Sequence, residues 1–192
     1  LHLSLHAEAA GVIDLSGIAS IPIGEFTITT AGTEGVIDLS GLAVLEGSGL
    51  IALAEGQQGG GLTFPGGNLR LNPAAVVLRG LELRLAPLST VSVGNLRVEG
   101  ALTGNGTLNG SLVNAGLVRP GVDETTPGRI EVQGTYVQEA GGRLAILVHD
   151  GVPGTGHGQL VTTGTATLAG RLEVDGRSRT GGVVFEVLMA SS

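Results

Sequence analysis

Apolar residues along this chain alternate with small or polar residues in short runs, and most runs end at Gly, Asn or Pro. LHLSLHA at residues 1–7 shows the pattern, with its leucines at every second position. A period of two is typical of strands that bury one face, while Gly, Asn and Pro favour turns. No apolar period of 3.6 residues continues over three turns. The sequence therefore predicts an all-β fold with no substantial helix.

Further runs of this kind predict strands and corners along the whole chain. The predicted strands lie within residues 21–31, 41–47, 49–56 and 75–87 and, most regularly, throughout 104–174. GQQGGG at 56–61 and FPGGN at 64–68 predict corners, because Gly permits positive φ and Pro fixes φ. Asn residues also lie beside corners, where Asn tolerates left-handed backbone and bonds nearby backbone groups. These are Asn68, Asn95, Asn105, Asn109 and Asn114.

An internal repeat indicates stacked coils. GVIDLSG occurs at residues 11–17 and again 24 residues later, at 35–41. Repeats of this length are typical of arrays in which each repeat stacks on its neighbours, here a β-solenoid. GNLRL at 67–71 is followed 27 residues later by GNLRV at 94–98, which we interpret as a weaker repeat with a longer corner. The length predicts roughly eight to nine coils, spaced about 4.8 Å apart.

Composition agrees with this fold and excludes several functions. The chain has 35 glycines among 192 residues, yet 42% of it is hydrophobic, which suits many strands joined by tight corners. It has no Cys, so disulfides, thiol catalysis and Cys-ligated zinc are excluded. Its net charge is −7 and its arginines are scattered, which argues against a nucleic-acid partner. No apolar run is long enough to predict a membrane-spanning segment.

Residues 104–190 carry a series of short motifs. They are an opening GNGTL at 104–108, a turn NAGLVRPG at 114–121, and strands GTYVQ at 134–138, GGRL at 141–144, QLV at 159–161, GTATLAGRL at 164–172 and VVFEVLMA at 183–190. In this order they resemble the passenger regions of bacterial autotransporters and related large surface proteins, which carry autotransporter-associated β-strand repeats. The resemblance covers about 85 residues. Residues 1–100 share only the general pattern of short apolar runs closed by Gly or Asn and carry none of these motifs in order.

The resemblance implies a right-handed parallel β-helix exported by a bacterium to the cell surface or beyond, and it carries no catalytic residues. We expect residues 1–192 to form one β-solenoid domain, a segment of a longer chain or assembly. Residues 1–100 are expected to form irregular coils, and residues 101–192 coils of the passenger kind. Each end of such a rod exposes unpaired strand edges, so we expect association through the coil ends or with other surface components.

Two groups of residues are candidates for chemistry. Asp14 and Asp38 occupy equivalent repeat positions, and if 24 residues make one coil they stack roughly 5 Å apart. Paired carboxylates can hydrolyse glycosides, but the same spacing also suits two solvated strand positions. His149, Asp150 and His157 lie in HDGVPGTGHG, which is either a zinc site or a solvated surface loop. We expect the two aspartates to be solvated strand positions and the histidine-containing segment to be a solvated surface loop.

The sequence therefore predicts a non-enzymatic structural or adhesive segment outside the cell, such as a stalk, a surface layer or a self-assembling filament. No catalytic, metal-binding or cofactor-binding residue is predicted. The alternatives are a polysaccharide-acting β-helix enzyme and an ice- or surface-binding solenoid. The enzyme would use Asp14 and Asp38. The ice-binding solenoid needs a flat threonine face, of which the sequence offers only the cluster Thr162, Thr163, Thr165 and Thr167.

Overall fold

A computed structural model describes residues 2–21, 25–31, 35–46, 62–64, 68–71, 73–176 and 185–191. These residues form twenty β-strands and no helix, as predicted. The strands pair with one another in parallel and divide into three ladders of neighbouring strands, and a few isolated antiparallel bridges lie outside these strand pairs.

Ladder one is a sheet of eight strands, each paired with the next in the series. Its strands are β1 (His2–Glu8), β3 (Glu25–Ala31), β6 (Leu62–Phe64), β9 (Glu82–Leu85), β11 (Ala101–Gly104), β13 (Leu117–Pro120), β16 (Arg143–Val148) and β19 (Arg171–Gly176).

Ladders two and three share two long strands, β10 (Thr90–Val98) and β12 (Gly106–Asn114), whose first halves belong to ladder two and whose second halves belong to ladder three. Ladder two also contains β2 (Val12–Asp14), β4 (Val36–Asp38), β7 (Asn68–Arg70), β14 (Arg129–Val132), β17 (Gln159–Thr162) and β20 (Leu188–Ala190). Ladder three also contains β5 (Val44–Glu46), β8 (Val76–Arg79), β15 (Tyr136–Gln138) and β18 (Ala166–Thr167).

From β3 onward the described strands follow a fixed order of ladders, one, two and then three, before the chain returns to ladder one; the first pass contains only β1 of ladder one and β2 of ladder two. We call each such pass a level. The eight strands of ladder one mark eight levels in the described residues, beside the eight to nine coils predicted. The GVIDLSG repeat corresponds to one level, because Val12, Ile13 and Asp14 pair with Val36, Ile37 and Asp38. The predicted stacking of the two aspartates is thereby confirmed.

The core lies between the ladders and consists of columns of apolar side chains that pair across levels. Along ladder one, from level four onward, a column runs through Leu83, Leu102, Val118, Leu144 and Leu172. Along ladder two a column runs through Ile37, Leu69, Val91, Leu108 and Val132. Alternate residues of these strands are buried, so the period of two predicted the buried face correctly where burial is described.

Glycines form columns at the corners, where successive levels come closest. A Cβ atom added to Gly116 would lie 2.2 Å from the carbonyl oxygen of Gly100, and one added to Gly170 would lie 2.3 Å from that of Gly142. A second column behaves alike, since a Cβ atom on Gly134 would lie 2.6 Å from the carbonyl oxygen of Gly110. No side chain fits at these distances. The high glycine content is therefore explained at these corners by close backbone contact between levels, in addition to turn conformation.

Two sequence interpretations are wrong. The GNLRL and GNLRV segments are not one level apart: Leu69 of ladder two pairs with Val91, while Leu96 of ladder three pairs with Val76. The two segments are similar in sequence but belong to different ladders, so their spacing does not measure a level. Residues 75–87 are not one strand either, because the chain turns at Gly80, whose φ is 70°, between β8 and β9. The predicted strand at 49–56 and the corner at 56–61 lie outside the described residues.

The five asparagines predicted beside corners do not use left-handed backbone. Within the described chain the only residues other than Gly with positive φ are Ala9 and Leu88. Most of the five lie in strands instead, and Asn114 points into the core with no exposed surface. It does bond backbone, as predicted, but from inside the fold: its Nδ2 donates to the Arg143 carbonyl at 3.0 Å.

The glycine columns lead to a prediction on two adjacent residues. A Cβ atom on Gly142 would lie 2.3 Å from the Asn114 carbonyl oxygen, whereas one on Gly141 would meet nothing closer than 3.6 Å. We expect Gly142→Ala to lower the free energy of unfolding by about 2–3 kcal/mol, because backbone must move, and Gly141→Ala to change it by less than about 0.5 kcal/mol. Urea denaturation measures both, and equal midpoints for the two variants would contradict the stacked corner.

Candidate functional site

The last level leaves core positions uncovered, and we take this end of the ladders as the candidate functional site. Leu172 and Val174 of β19 pair with Leu144 and Ile146 of β16. The two residues of β16 are only 2% and 1% exposed, whereas Leu172 is 53% and Val174 56% exposed. The same inward positions are therefore dry in one level and open to solvent in the next.

A hollow of about 190 Å³ lies at this open end. Its lining is mainly apolar and includes Leu144, Leu168, Leu172, Val187 and Leu188. Leu168, which follows β18, is also more than half exposed. Three strands form the edge of the ladders here: β18, β19 and β20. Each pairs on one side with a strand of the preceding level. On the other side, none of them has a strand partner among the described residues. The end thus combines apolar side chains with unpaired strand edges.

The first level is open in a similar but weaker way. Leu5, Ile13 and Leu15 are half-buried. In the next level, Ile28 pairs with Leu5 and Ile37 pairs with Ile13, and both isoleucines are fully buried. Strands β1 and β2 likewise have strand neighbours on one side only in the described part of the chain. At each end, therefore, the outermost strands have one unpaired backbone edge among the described residues.

The paired aspartates serve local turns. The Oδ1 atom of Asp14 accepts a hydrogen bond from the Ser16 backbone N–H at 2.9 Å, and that of Asp38 accepts one from Ser40 at 3.0 Å. The hydrogen bonds from Ser16 hold the pKa of Asp14 below its usual value. A glycosidase needs one carboxyl group whose pKa is raised, so that it can donate a proton. The side chains of this pair instead close the corner after each strand.

The HDGVPGTGHG loop contains one buried histidine and several local hydrogen bonds. His157 is 1% exposed, so the solvated-loop interpretation is wrong for this residue. Its ring packs edge-on against Phe185, with centroids 5.3 Å apart, and its Nδ1 lies 3.3 Å from the Asp150 carbonyl oxygen. The Asp150 carboxylate accepts a hydrogen bond from the Val152 N–H at 2.9 Å, within its own loop. No group of three or more His, Asp or Glu residues in the described chain could hold a metal ion.

The threonine cluster does not form a flat face. Thr162 is fully buried in the core, where its hydroxyl donates to the Gly134 carbonyl. Thr163, Thr165 and Thr167 are exposed, and the first two lie at the corner between β17 and β18. One of the four threonines therefore lies in the core, and only three of them are exposed.

Arginines of the outer surface pair with carboxylates. Arg97 shows this best: its guanidinium makes a bidentate contact with Glu139, and its Nε donates to Glu99 at 2.9 Å. The hydrogen bond from Arg97 lowers the pKa of Glu139, and hydrogen bonds from Arg79 first and then Arg97 lower the pKa of Glu99. Each arginine in the described residues has a carboxylate oxygen within 4.0 Å. They are Arg70, Arg79, Arg84, Arg97, Arg119, Arg129, Arg143 and Arg171.

A buried polar cluster was not predicted from the residues themselves, although two of its members belong to the GTYVQ motif. Tyr136 is fully buried, its hydroxyl donates to Gln138 Oε1 at 2.8 Å, and Asn114 Nδ2 donates to that hydroxyl at 3.1 Å. Gln138 Nε2 in turn donates to the carbonyl of Arg171 at 3.0 Å. The cluster therefore ties β12, β15 and the last level together through hydrogen bonds that only one register satisfies.

Comparisons with known proteins give no match: no family model, no curated protein and no solved structure is significantly similar to the chain. Within the described residues, no helix is long and apolar enough to cross a membrane.

The buried phenol leads to a prediction on pH. Burial raises the pKa of Tyr136 to about 12, and a tyrosine in the unfolded chain ionises near 10. The protonated phenol is thus favoured by the folded state. The buried, protonated phenol makes its full contribution to the free energy of unfolding below pH 10. This contribution is lost as the pH rises from 10 to 12, and the free energy of unfolding falls by at most about 1.4 kcal/mol per pH unit.

Tyr136 is the only tyrosine and the chain has no Trp, so near-ultraviolet absorbance reports this phenol alone. With a pKa of about 12, only about a tenth of the phenol should be ionised at pH 11 while circular dichroism shows folded protein, whereas in denaturant the phenol should titrate near pH 10. Tyr136→Phe is the control, since it should remove this part of the pH dependence of unfolding. Ionisation near pH 10 in the folded protein would contradict the buried cluster.

Proposed function

We propose that the three ladders are the faces of a right-handed parallel β-helix. From β3 onward the described strands follow the order of ladders one, two and three, every pairing between named strands is parallel, and each level pairs with the one before it. Connections between parallel strands of one sheet are right-handed in about 98% of cases, which supports this hand. The motifs of residues 104–190 that resemble autotransporter passengers support the same architecture.

We further propose that the protein is a non-enzymatic structural or adhesive segment of a stiff rod, and that its open ends accept further levels. The observation that carries this proposal is the exposure of Leu172 and Val174 at positions that are buried one level earlier. Exposed apolar side chains beside an unpaired strand edge favour the addition of another parallel strand. A second copy of this chain supplies such strands as β1 and β2, whose outer edges are free of strand partners among the described residues.

Placement outside a bacterial cell is the part of the proposal that rests on the resemblance. In the GTYVQ motif, Tyr136 and Gln138 have inward positions and bond each other, so the motif has a physical role in stacking levels. In the GGRL motif, Gly142 permits the close approach of levels at a corner. A rod whose contacts run between neighbouring levels is stable in near-additive increments, which suits a stalk, a surface layer or a filament.

One observation argues against the enzyme alternative, and another argues against a nucleic-acid partner. The Asp14 and Asp38 carboxylates are engaged in turns, which argues against their use as an acid–base pair in a polysaccharide-acting enzyme. The pairing of surface arginines with acids, together with the net charge of −7, argues against a nucleic-acid partner, because no cluster of free cations faces outward in the described residues.

A matched pair of valines tests the use of the open end. Val174 lies in the last strand of ladder one and Val152 lies in the loop after β16, and they are 56% and 57% exposed. We expect the weight-average mass of the wild-type chain in light scattering to rise with concentration. Val174→Glu should abolish this rise, because a charge at an inward position is costly to cover, and Val152→Glu should leave it unchanged.

Equal behaviour of the two variants would show that association does not use the ladder end. A mass that stays at one chain at every concentration would remove the assembly proposal. Circular dichroism of both variants checks that strand content is retained, which we expect because each valine is already exposed.

A further inference from the structure

The two edge strands of ladder one carry different charged residues on their outward faces. At the first level, β1 carries His6 and Glu8, and both side chains are exposed. At the last level, β19 carries Arg171, Glu173 and Asp175, which are exposed or half-buried. If copies of the chain stack head to tail, β19 of one copy lies beside β1 of the next, and these two faces form one continuous column.

His6 is held in place by groups of its own end. Its Nε2 lies 2.9 Å from Glu8 Oε1, and its Nδ1 contacts the hydroxyl group of Thr29, with which it pairs in β3. The one charged residue of β3, Glu25, lies four positions before Thr29 in the strand. The one charged residue of β2, Asp14, accepts hydrogen bonds within its own turn. Glu8 is therefore the one ionic partner of His6 among the described side chains.

Asp175 is an exposed carboxylate that makes no ion pair with a described residue. Its neighbour Glu173 differs, since it lies 3.0 Å from an Arg171 nitrogen and 3.3 Å from an Arg143 nitrogen. In the preceding level Asp175 pairs with Leu147, which offers it no charge. A positive charge on the strand that covers β19 would thus be a direct partner for this carboxylate.

The inward residues of the two strands indicate how they would pair. Val174 is 56% exposed and Leu5 is half-buried, although the residues with which they pair inside the fold are buried. Pairing Val174 of one copy with Leu5 of the next covers both side chains. The residues that follow then pair as well, so Asp175 lies beside His6 with the strands about 4.8 Å apart.

Other registers of the same two strands fit less well. A shift by two residues in one direction would place Asp175 directly opposite Glu8, and like charges at such positions are destabilising. A shift by two in the other direction would leave Leu5 opposite Gly176, which has no side chain to cover it. A shift by one residue would turn inward positions outward. The register that covers Leu5 with Val174 avoids all three faults.

We propose that copies stack in this register and that the contact between His6 and Asp175 makes the stacking dependent on pH. The proposal rests on the assembly proposed above and adds its register and its regulation. Histidine is the side chain whose charge changes between about pH 5 and 8. Protonated His6 lies between Glu8 of its own strand and Asp175 of the next copy, whereas neutral His6 leaves these two carboxylates without a cation between them. Association therefore takes up protons and weakens as the pH rises.

Light scattering of the full chain at pH 6 and pH 8 tests this contact. Both values lie above the isoelectric point of about 5.0, so the chain keeps its negative net charge. We expect association to be about threefold stronger at pH 6, as for one exposed ion pair, and salt at about 0.5 M to reduce this difference. His6→Gln should remove the difference. His149→Gln, which alters a histidine of the loop after β16, is the matched control and should retain it.

An exchange of charges tests the register itself. His6→Glu should weaken association at both pH values, and His6→Glu combined with Asp175→Arg should restore it without dependence on pH. Circular dichroism at each pH checks that every variant remains folded.

The outcomes separate this proposal from the assembly on which it rests. Equal association at pH 6 and pH 8, or a double variant that associates no better than His6→Glu alone, would overturn the contact and leave the use of the open ends intact. A mass that stays at one chain at both pH values would overturn the contact together with the assembly.

Discussion

The contact between successive levels at the corners is the constraint on which the rest of the structure depends. Corner carbonyls of one level lie where a side chain of the next would have to be, as at Gly100 and Gly116 and at Gly142 and Gly170. Because the corners stack so closely, each strand continues the ladder of the strand one level earlier. The core columns, the outer charge pairs and the open ends all follow from that one-level register.

The register also explains why polar groups can be buried in an otherwise aliphatic core. Asn114 and Gln138 pair one level apart, and Tyr136 lies between them in the hydrogen-bond network. Any slip of register would separate these groups and leave buried donors without acceptors, which is costly. Burying them therefore disfavours alternative registers more strongly than a further leucine column would, since leucines tolerate exchange with one another.

Sequence predicted what depends on local pattern and failed where the outcome depends on the ladder to which a segment belongs. Alternation predicted the strands and their buried faces, and the GVIDLSG repeat predicted the 24-residue step between β2 and β4, although other levels are shorter or longer. The GNLRL likeness misled because its two copies lie in different ladders, a difference that local sequence does not encode. His157 was expected in a solvated loop, but Phe185, a residue 28 positions later, covers its ring.

The exposed core positions of the last described level, Leu172 and Val174, lower the free energy of the fold further if another level covers them. Electron microscopy and fibre diffraction of the concentrated protein test this most directly. The account predicts elongated filaments as wide as one rod, with an axial repeat of about 4.8 Å from strands perpendicular to the filament axis. Short rods that remain separate at every concentration, or filaments that lack this repeat, would contradict it.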